Sequence, residues 1–309
     1  MSTSLDAQQS NSRLLAGFWL GVLGVTCFAI TLPATRLATG SAGDPQLPPG
    51  FLTAGRAALA GLLSVIFLVA TRSAWPKREH WPALAWAIAG NVIAYPLFLA
   101  WALRSVTATH ATVITALSPL ATAVVAALVL GQRARPAFWI CAAVGSVLVI
   151  VFAWLRADTQ GGFGFAPADL LLMAGVLASS VGYIYGAKLT PVLGAERVIC
   201  WVCLGALPFS LPAAVWMWPA EASTIRPMSW VAFVYVGSVS MWAGFFAWYR
   251  GLDWGGTLRV SQTQLLQPFI SMLFAWPLLG ERLDTVSIGF ALAVVATVFV
   301  SRRLSMPAS

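Results

Sequence analysis

Residues 117–133 read LSPLATAVVAALVLGQR, and residues 266–282 read LQPFISMLFAWPLLGER. Each stretch has a proline near its start and closes on Leu-Gly-(Gln/Glu)-Arg. Pro119 aligns with Pro268, Gly131 with Gly280, Gln132 with Glu281 and Arg133 with Arg282, always 149 residues apart. The chain therefore reads as two copies of one unit of about 150 residues, and any architecture must accommodate both.

The medium around that repeat is fixed by hydropathy. Only 9% of the residues are charged and 59% are hydrophobic, whereas a soluble domain carries about 25% charged residues. About 20 apolar residues in a helix cross a hydrocarbon core about 30 Å thick. Ten runs meet that length: 14–35, 51–71, 82–103, 108–130, 137–155, 168–189, 198–218, 228–249, 258–279 and 285–301. Most are uniformly apolar without period-two alternation, which predicts helices and excludes a β-barrel. The fold class expected is an all-α integral membrane protein of ten transmembrane helices. Five runs fall in each copy, and five is odd, so the second copy must enter from the opposite side. Inverted repeats of this kind are a signature of secondary transporters. The expected organisation is a tail at 1–13, a first repeat at 14–155, an outer linker at 156–167, a second repeat at 168–301 and a tail at 302–309.

Orientation follows from basic residues in the links. With the N-terminus inside, twelve Lys or Arg lie on the cytoplasmic side, among them Arg13, Arg72, Arg197 and Arg250. Five lie outside: Arg36, Arg104, Arg156, Arg226 and Arg282. Both termini are expected in the cytoplasm of a cell bounded by a bacterial-type inner membrane. The net charge of +8 then reflects topology and the lipid bilayer as partner, and nucleic acid is not expected. The polar N-terminal 13 residues carry no convincing cleavage site, so the first run is expected to stay as a helix. Cys27, Cys141, Cys200 and Cys203 all sit inside apolar runs and read as buried small residues. Cys200-x-x-Cys203 has no second ligand pair, and His80 and His110 are the two histidines, so neither a metal nor a cofactor is expected.

The repeat also maps candidate pathway residues. A polar residue matched by a polar residue in the other copy marks a position that both halves keep wet. Thr112, Thr115 and Ser118 share one helical face and end at Pro119. Their counterparts are Ser261, Gln264, Gln267 and Pro268. Each proline removes a backbone hydrogen bond and kinks its helix, and the freed carbonyl must face protein or water. Among these side chains the glutamines carry more weight, because Ser and Thr can bond to their own helix. Asn91 lies mid-depth in the third run opposite Ser240 in the eighth, with Tyr95 one turn on and Trp101 nearer the outer end. Trp242 sits mid-membrane, away from the interfacial belt. Ser179, Ser180 and Tyr183 give the sixth run a polar patch, with Thr31 opposite Tyr183. Gly17-x-x-x-Gly21 and Gly182-x-x-x-Gly186 permit close helix approach.

Charge is sparse within the runs. Arg56 is the permanent charge deepest in a run, about one turn from its outer start, and is expected to snorkel outward; binding a substrate carboxylate is the alternative role. His110 opens the fourth run near the outer surface and reads as an interfacial residue or a proton-responsive one. Arg259 is its repeat partner and reads as a cytoplasmic anchor. Every Asp and Glu falls in a link or near a run's end, which leaves ion coupling and downhill facilitation both open.

These features together resemble the drug/metabolite transporter superfamily in its EamA-like branch, across residues 14–303. The resemblance rests on Ala116, Leu117, Pro119, Leu120, Leu130, Gly131 and Arg133 in the first copy. In the second it rests on Leu266, Pro268, Leu279, Gly280, Glu281 and Arg282. The family pattern ends Gly-Glu-Arg, and Gln132 departs from it. YddG-type bacterial amino-acid exporters are the nearest analogy, which implies a monomeric carrier of amino acids or related metabolites working by alternating access. A multidrug exporter of the same superfamily is the alternative. A polytopic enzyme is disfavoured: the chain has no Gly-x-Ser-x-Gly, no His-Glu-x-x-His and no paired intramembrane carboxylates.

Overall fold

The computed structural model describes residues 2–129, 166–255, 260, 262–281 and 284–305, with scattered positions between 136 and 155. Among them the chain is helical throughout, with no strand. Six helical stretches are long and apolar enough to cross a membrane: Ser12–Thr39, Pro49–Ala70, Arg78–Ala102, Pro167–Leu193, Ala195–Trp216 and Pro227–Gly255. Shorter apolar helices follow at Gln267–Leu279 and Thr285–Thr297. The fourth predicted run forms two short helices, and the fifth lies largely outside the described residues.

In chain order the elements are α1 (Ser2–Ala29), α2 (Thr31–Thr39), α3 (Pro49–Ala70), α4 (Trp81–Ala87), α5 (Tyr95–Ala102), α6 (Ala108–Thr115) and α7 (Ser118–Val129). The second half comprises α8 (Pro167–Leu193), α9 (Ala195–Trp216), α10 (Pro227–Val234), α11 (Gly244–Gly255), α12 (Gln267–Leu279) and α13 (Thr285–Ser305). Prolines open several of them, at Pro49, Pro167, Pro227 and Pro268. Proline suits that position because its missing N–H would be unpaired there anyway. Gly280 ends α12 at φ 68°, a left-handed conformation that glycine adopts without steric cost.

The two halves pack across one another. α1 lies along α11, α3 along α9, and α8 along the helix of α4 and α5. Small residues set the closest crossings. A Cβ at Gly17 would lie 2.2 Å from the Gly255 backbone nitrogen, and one at Gly90 would lie 2.3 Å from the Ala178 carbonyl oxygen. Of the spaced glycines, Gly17 serves backbone-to-backbone contact, whereas Gly182 and Gly186 make room for the Asn91 and Tyr249 side chains. Cys200 and Cys203 are buried, as expected for small core residues.

Candidate functional site

Each half interrupts its helices at matching places. A π-helical segment, Ile88–Ala94, joins α4 to α5, and another, Tyr235–Ala243, joins α10 to α11. Asn91 and Ser240, one repeat apart, sit within them. The second break separates α6 from α7 at residues 116–117 and, in the other copy, is a 3-10 turn at Gln262–Leu266. Helix resumes at Ser118 and Gln267, each followed by the repeat's proline. Wider or tighter turns release backbone groups and turn side chains off the regular helical face, and they recur where helices do more than pack.

The matched polar stripes meet at these breaks. Thr112, Thr115 and Ser118 line a cavity of about 10 Å³ with Gln264, Gln267 and Pro268. The Thr112 and Ser271 hydroxyls share a 3.0 Å hydrogen bond, which ties α6 to α12. Thr112, Thr115 and Ser118 also bond to carbonyls of their own segment, at 2.8, 3.2 and 2.6 Å. Their own helix therefore satisfies them, and the two glutamines remain the polar groups more available to a visitor. Ser261 and Arg259 lie outside the described residues.

Gln267 also borders a second cavity, of about 30 Å³, with Arg56, Asn91, Tyr95, Tyr183 and Ser240. Phe28 and Phe245 supply its apolar wall. Arg56 departs from the outward snorkelling expected of it: its residue is 4% exposed, and it sits inside the bundle. Its Nη2 donates to Ser240 Oγ at 3.3 Å, and Ser240 shares a 2.7 Å hydrogen bond with Thr31. Arg56 Nε and Asn91 Nδ2 are both buried without a hydrogen-bond partner. Leaving a buried donor unmet costs about 1–3 kcal/mol, and more for a charged one. The pocket thus holds a guanidinium and a carboxamide with spare donors and, among the described residues, no carboxylate paired with that charge. An arrangement of that kind suits an anion with two acceptor oxygens.

The remaining candidates fall elsewhere. Ser179 is buried and bonds to Val176 O at 2.9 Å. Trp101 is 51% exposed on the outer surface of the bundle, away from both cavities. Trp242 borders neither of these two cavities and instead packs edge-on against Phe67 and tilted against Phe246. Neither tryptophan lines the two central cavities. Thr31 joins the central pocket through the break between α1 and α2. Pro33, early in α2, was the available signal, because proline cannot donate to the Ala29 carbonyl.

Comparison with known proteins gives this geometry a family. The sequence profile of the EamA-like transporter family matches residues 15–155 and again residues 166–303. The chain belongs to that family. The "Uncharacterized transporter YdeK" of Bacillus subtilis is 40% identical over 288 residues, covering 93% of this chain and 97% of its own. The "Aromatic amino acid exporter YddG" of Ancylobacter novellus is 27% identical over 255 residues, 79% of this chain and 84% of its own. The "Probable terminal-alkyne amino-acid exporter" of Streptantibioticus cattleyicolor is 25% identical over 295 residues, 94% and 95% of the two chains. A solved crystal structure superposes with a TM-score of 0.62 at 22% identity, covering 94% of this chain and 97% of that one, which shows a shared fold. The protein is a multi-pass membrane transporter of this family and not an enzyme.

Within the transporter, Gly280 and Glu281 have a visible task. The left-handed turn at Gly280 lets Glu281 reach back across the bundle. Its two oxygens accept from the Ala108 and Thr109 backbone N–H groups, both at 2.9 Å, and from the Thr109 hydroxyl at 2.7 Å. A carboxylate here meets the unpaired N–H groups and the positive end of α6. Beside it, His110 Nε2 lies 2.7 Å from Asp169 Oδ1, and Asp169 is 1% exposed. Arg36 donates to the Leu103 carbonyl, and Arg226 pairs with Asp44 at 2.6 Å. All of these links lie at the end of the bundle opposite the N-terminus. Sequence reasoning missed Glu281 as a cap, because its partners are some 170 residues away. Gln132, its counterpart, lies outside the described residues.

Proposed function

We propose that this transporter exports amino acids or closely related zwitterions by alternating access between its two halves. Buried donors without acceptors, Arg56 Nε and Asn91 Nδ2 in one pocket, carry the reading. A substrate carboxylate supplies two acceptor oxygens to them, and Gln267 and the Ser240 hydroxyl offer acceptors to an ammonium group. Phe28, Phe245 and Tyr183 receive the side chain. The pocket's present volume of about 30 Å³ admits a water or two and no amino acid. The halves must therefore part for substrate to bind, and the interruptions before Pro119 and Pro268 are where they flex. Relatives named as amino-acid exporters support the substrate class.

The same reading takes the chain as ten transmembrane helices in two inverted repeats, 14–155 and 168–301, joined by a linker at 156–167. It acts as a monomer in a bacterial-type inner membrane with both tails, 1–13 and 302–309, in the cytoplasm. The bonds of Glu281 and His110 then close its outer end. The buried cation at Arg56 argues against cationic drugs, which it would repel.

Counterflow in proteoliposomes tests the substrate class. Vesicles loaded with unlabelled amino acids should take up labelled L-phenylalanine without an imposed ion gradient. No flux of any amino acid through a folded protein overturns the reading.

A further inference from the structure

A larger cavity lies at the end of the bundle nearer the N-terminus. Its volume is about 620 Å³, within the range of about 300–1,000 Å³ typical of small-molecule sites. Its walls are apolar, from Leu20, Phe67, Leu193 and Phe246, and its rim carries Glu196, Arg197 and Arg250. Arg250 Nη2 lies 2.5 Å from Glu196 Oε1, and the Glu196 side chain is only 18% exposed.

The helices that line this vestibule also line the central pocket. α3 gives Phe67 to one and Arg56 to the other, and α9 gives Glu196 and Ile199. The α11 helix gives Phe246 to the vestibule and Phe245 to the pocket. Arg56 and Phe67 are eleven residues apart, which is about three turns, so they share a face about 16 Å apart along the axis. Phe67 and Phe246 of the vestibule wall cluster with Trp242, which lies along the chain between Ser240 of the pocket and Phe246. Phe67 and Phe246 have centroids 5.0 Å apart, Trp242 and Phe246 4.6 Å, and Phe67 and Trp242 6.3 Å. Trp242 Nε1 is buried there without a partner.

We infer that the vestibule is a loading site for amphipathic amino acids, and that the Phe67–Trp242–Phe246 layer is the gate between it and Arg56. This rests on the export reading above. A zwitterion carries both charges and can part the Glu196–Arg250 pair, giving its ammonium to Glu196 and its carboxylate to Arg250. The apolar walls take the side chain. Rotation of the rings then passes the substrate to the deeper guanidinium, exchanging a half-solvated cation for a buried one.

Thiol labelling tests it. With Cys27, Cys141, Cys200 and Cys203 replaced by alanine, Ala247→Cys places one thiol in the vestibule. A membrane-impermeant maleimide should label it from the face that carries the N-terminus. L-Phenylalanine at ten times its dissociation constant should slow labelling about tenfold. Arg56→Met should weaken transport at least about 30-fold at low substrate concentration and leave that protection intact. Transport that persists while phenylalanine gives no protection overturns the loading site alone. Protection lost in Arg56→Met overturns it too, by placing the ligand in the deeper pocket. Absence of both transport and protection in the Ala247→Cys protein that keeps Arg56 overturns the export reading beneath it. In the chain with its own cysteines, Glu196→Gln should raise KM for phenylalanine about fivefold, the worth of one partly exposed charge contact, with kcat unchanged. An unchanged KM counts against the site whether or not the cysteine variant folds.

Discussion

Replacing Arg56 with methionine separates binding from stability. Arg56 is 4% exposed, and its guanidinium makes a 3.3 Å contact to the Ser240 hydroxyl, with Nε unmet. In the empty protein that charge is a burden, because a buried cation is costly without a partner. Methionine has similar length and no charge, so the folded protein should be no less stable, and its melting temperature should hold or rise. Substrate binding should move the other way. Losing a charge-assisted bond to a buried carboxylate costs about 2–4 kcal/mol, which is about 30- to 900-fold in affinity. Arg56→Lys keeps the charge and loses the planar fork, so it should fall between. The assay is concentration-dependent uptake of L-phenylalanine into proteoliposomes, beside a thermal melt of the same preparations. A methionine variant that melts much earlier yet transports with an unchanged KM refutes the reasoning, because Arg56 would then be a structural cation.

Gln267 borders both central cavities; Gln267→Leu should lower transport about tenfold, the worth of one or two neutral hydrogen bonds, at normal expression, and unaltered flux removes it from the pathway. Glu281→Gln gives the second copy the amide of the first and weakens three bonds onto α6. At about 1–2 kcal/mol, it should raise outside accessibility of a cysteine at Ser118 roughly 5- to 30-fold; unchanged labelling would show that this end is closed by other contacts. Gly17→Val places carbon where the Gly255 backbone stands, and should cost about 2 kcal/mol or more, read as a lower melting temperature in detergent. The same change at Gly289, where a Cβ meets nothing within 4 Å, is the control.

The apolar runs, the repeat and the family motifs could be read from the chain because each is local. Hydropathy fixes which segments sit in lipid, since every backbone group there must be bonded within its own helix. The polar stripes were also legible: Thr112, Thr115, Ser118, Gln264 and Gln267 come together as their spacing implied. A run's hydropathy gives depth and leaves its azimuth open, however, and azimuth is set by which neighbour a face meets. For that reason the sequence left open that Trp101 faces out of the bundle, 51% exposed, while Trp242 packs against Phe67 and Phe246. Arg56 illustrates the same limit. One turn from the end of its run, it has the length to reach water, and only the packing of α3 against α9 and the π-helical segment at Ser240 turns it inward. Glu281 is the clearest case of all. The motif was visible, but its task needed Gly280's left-handed turn and a helix start from the other repeat. Local chemistry determined that this chain enters a membrane twice over in one pattern; long-range packing decided which charges face the middle.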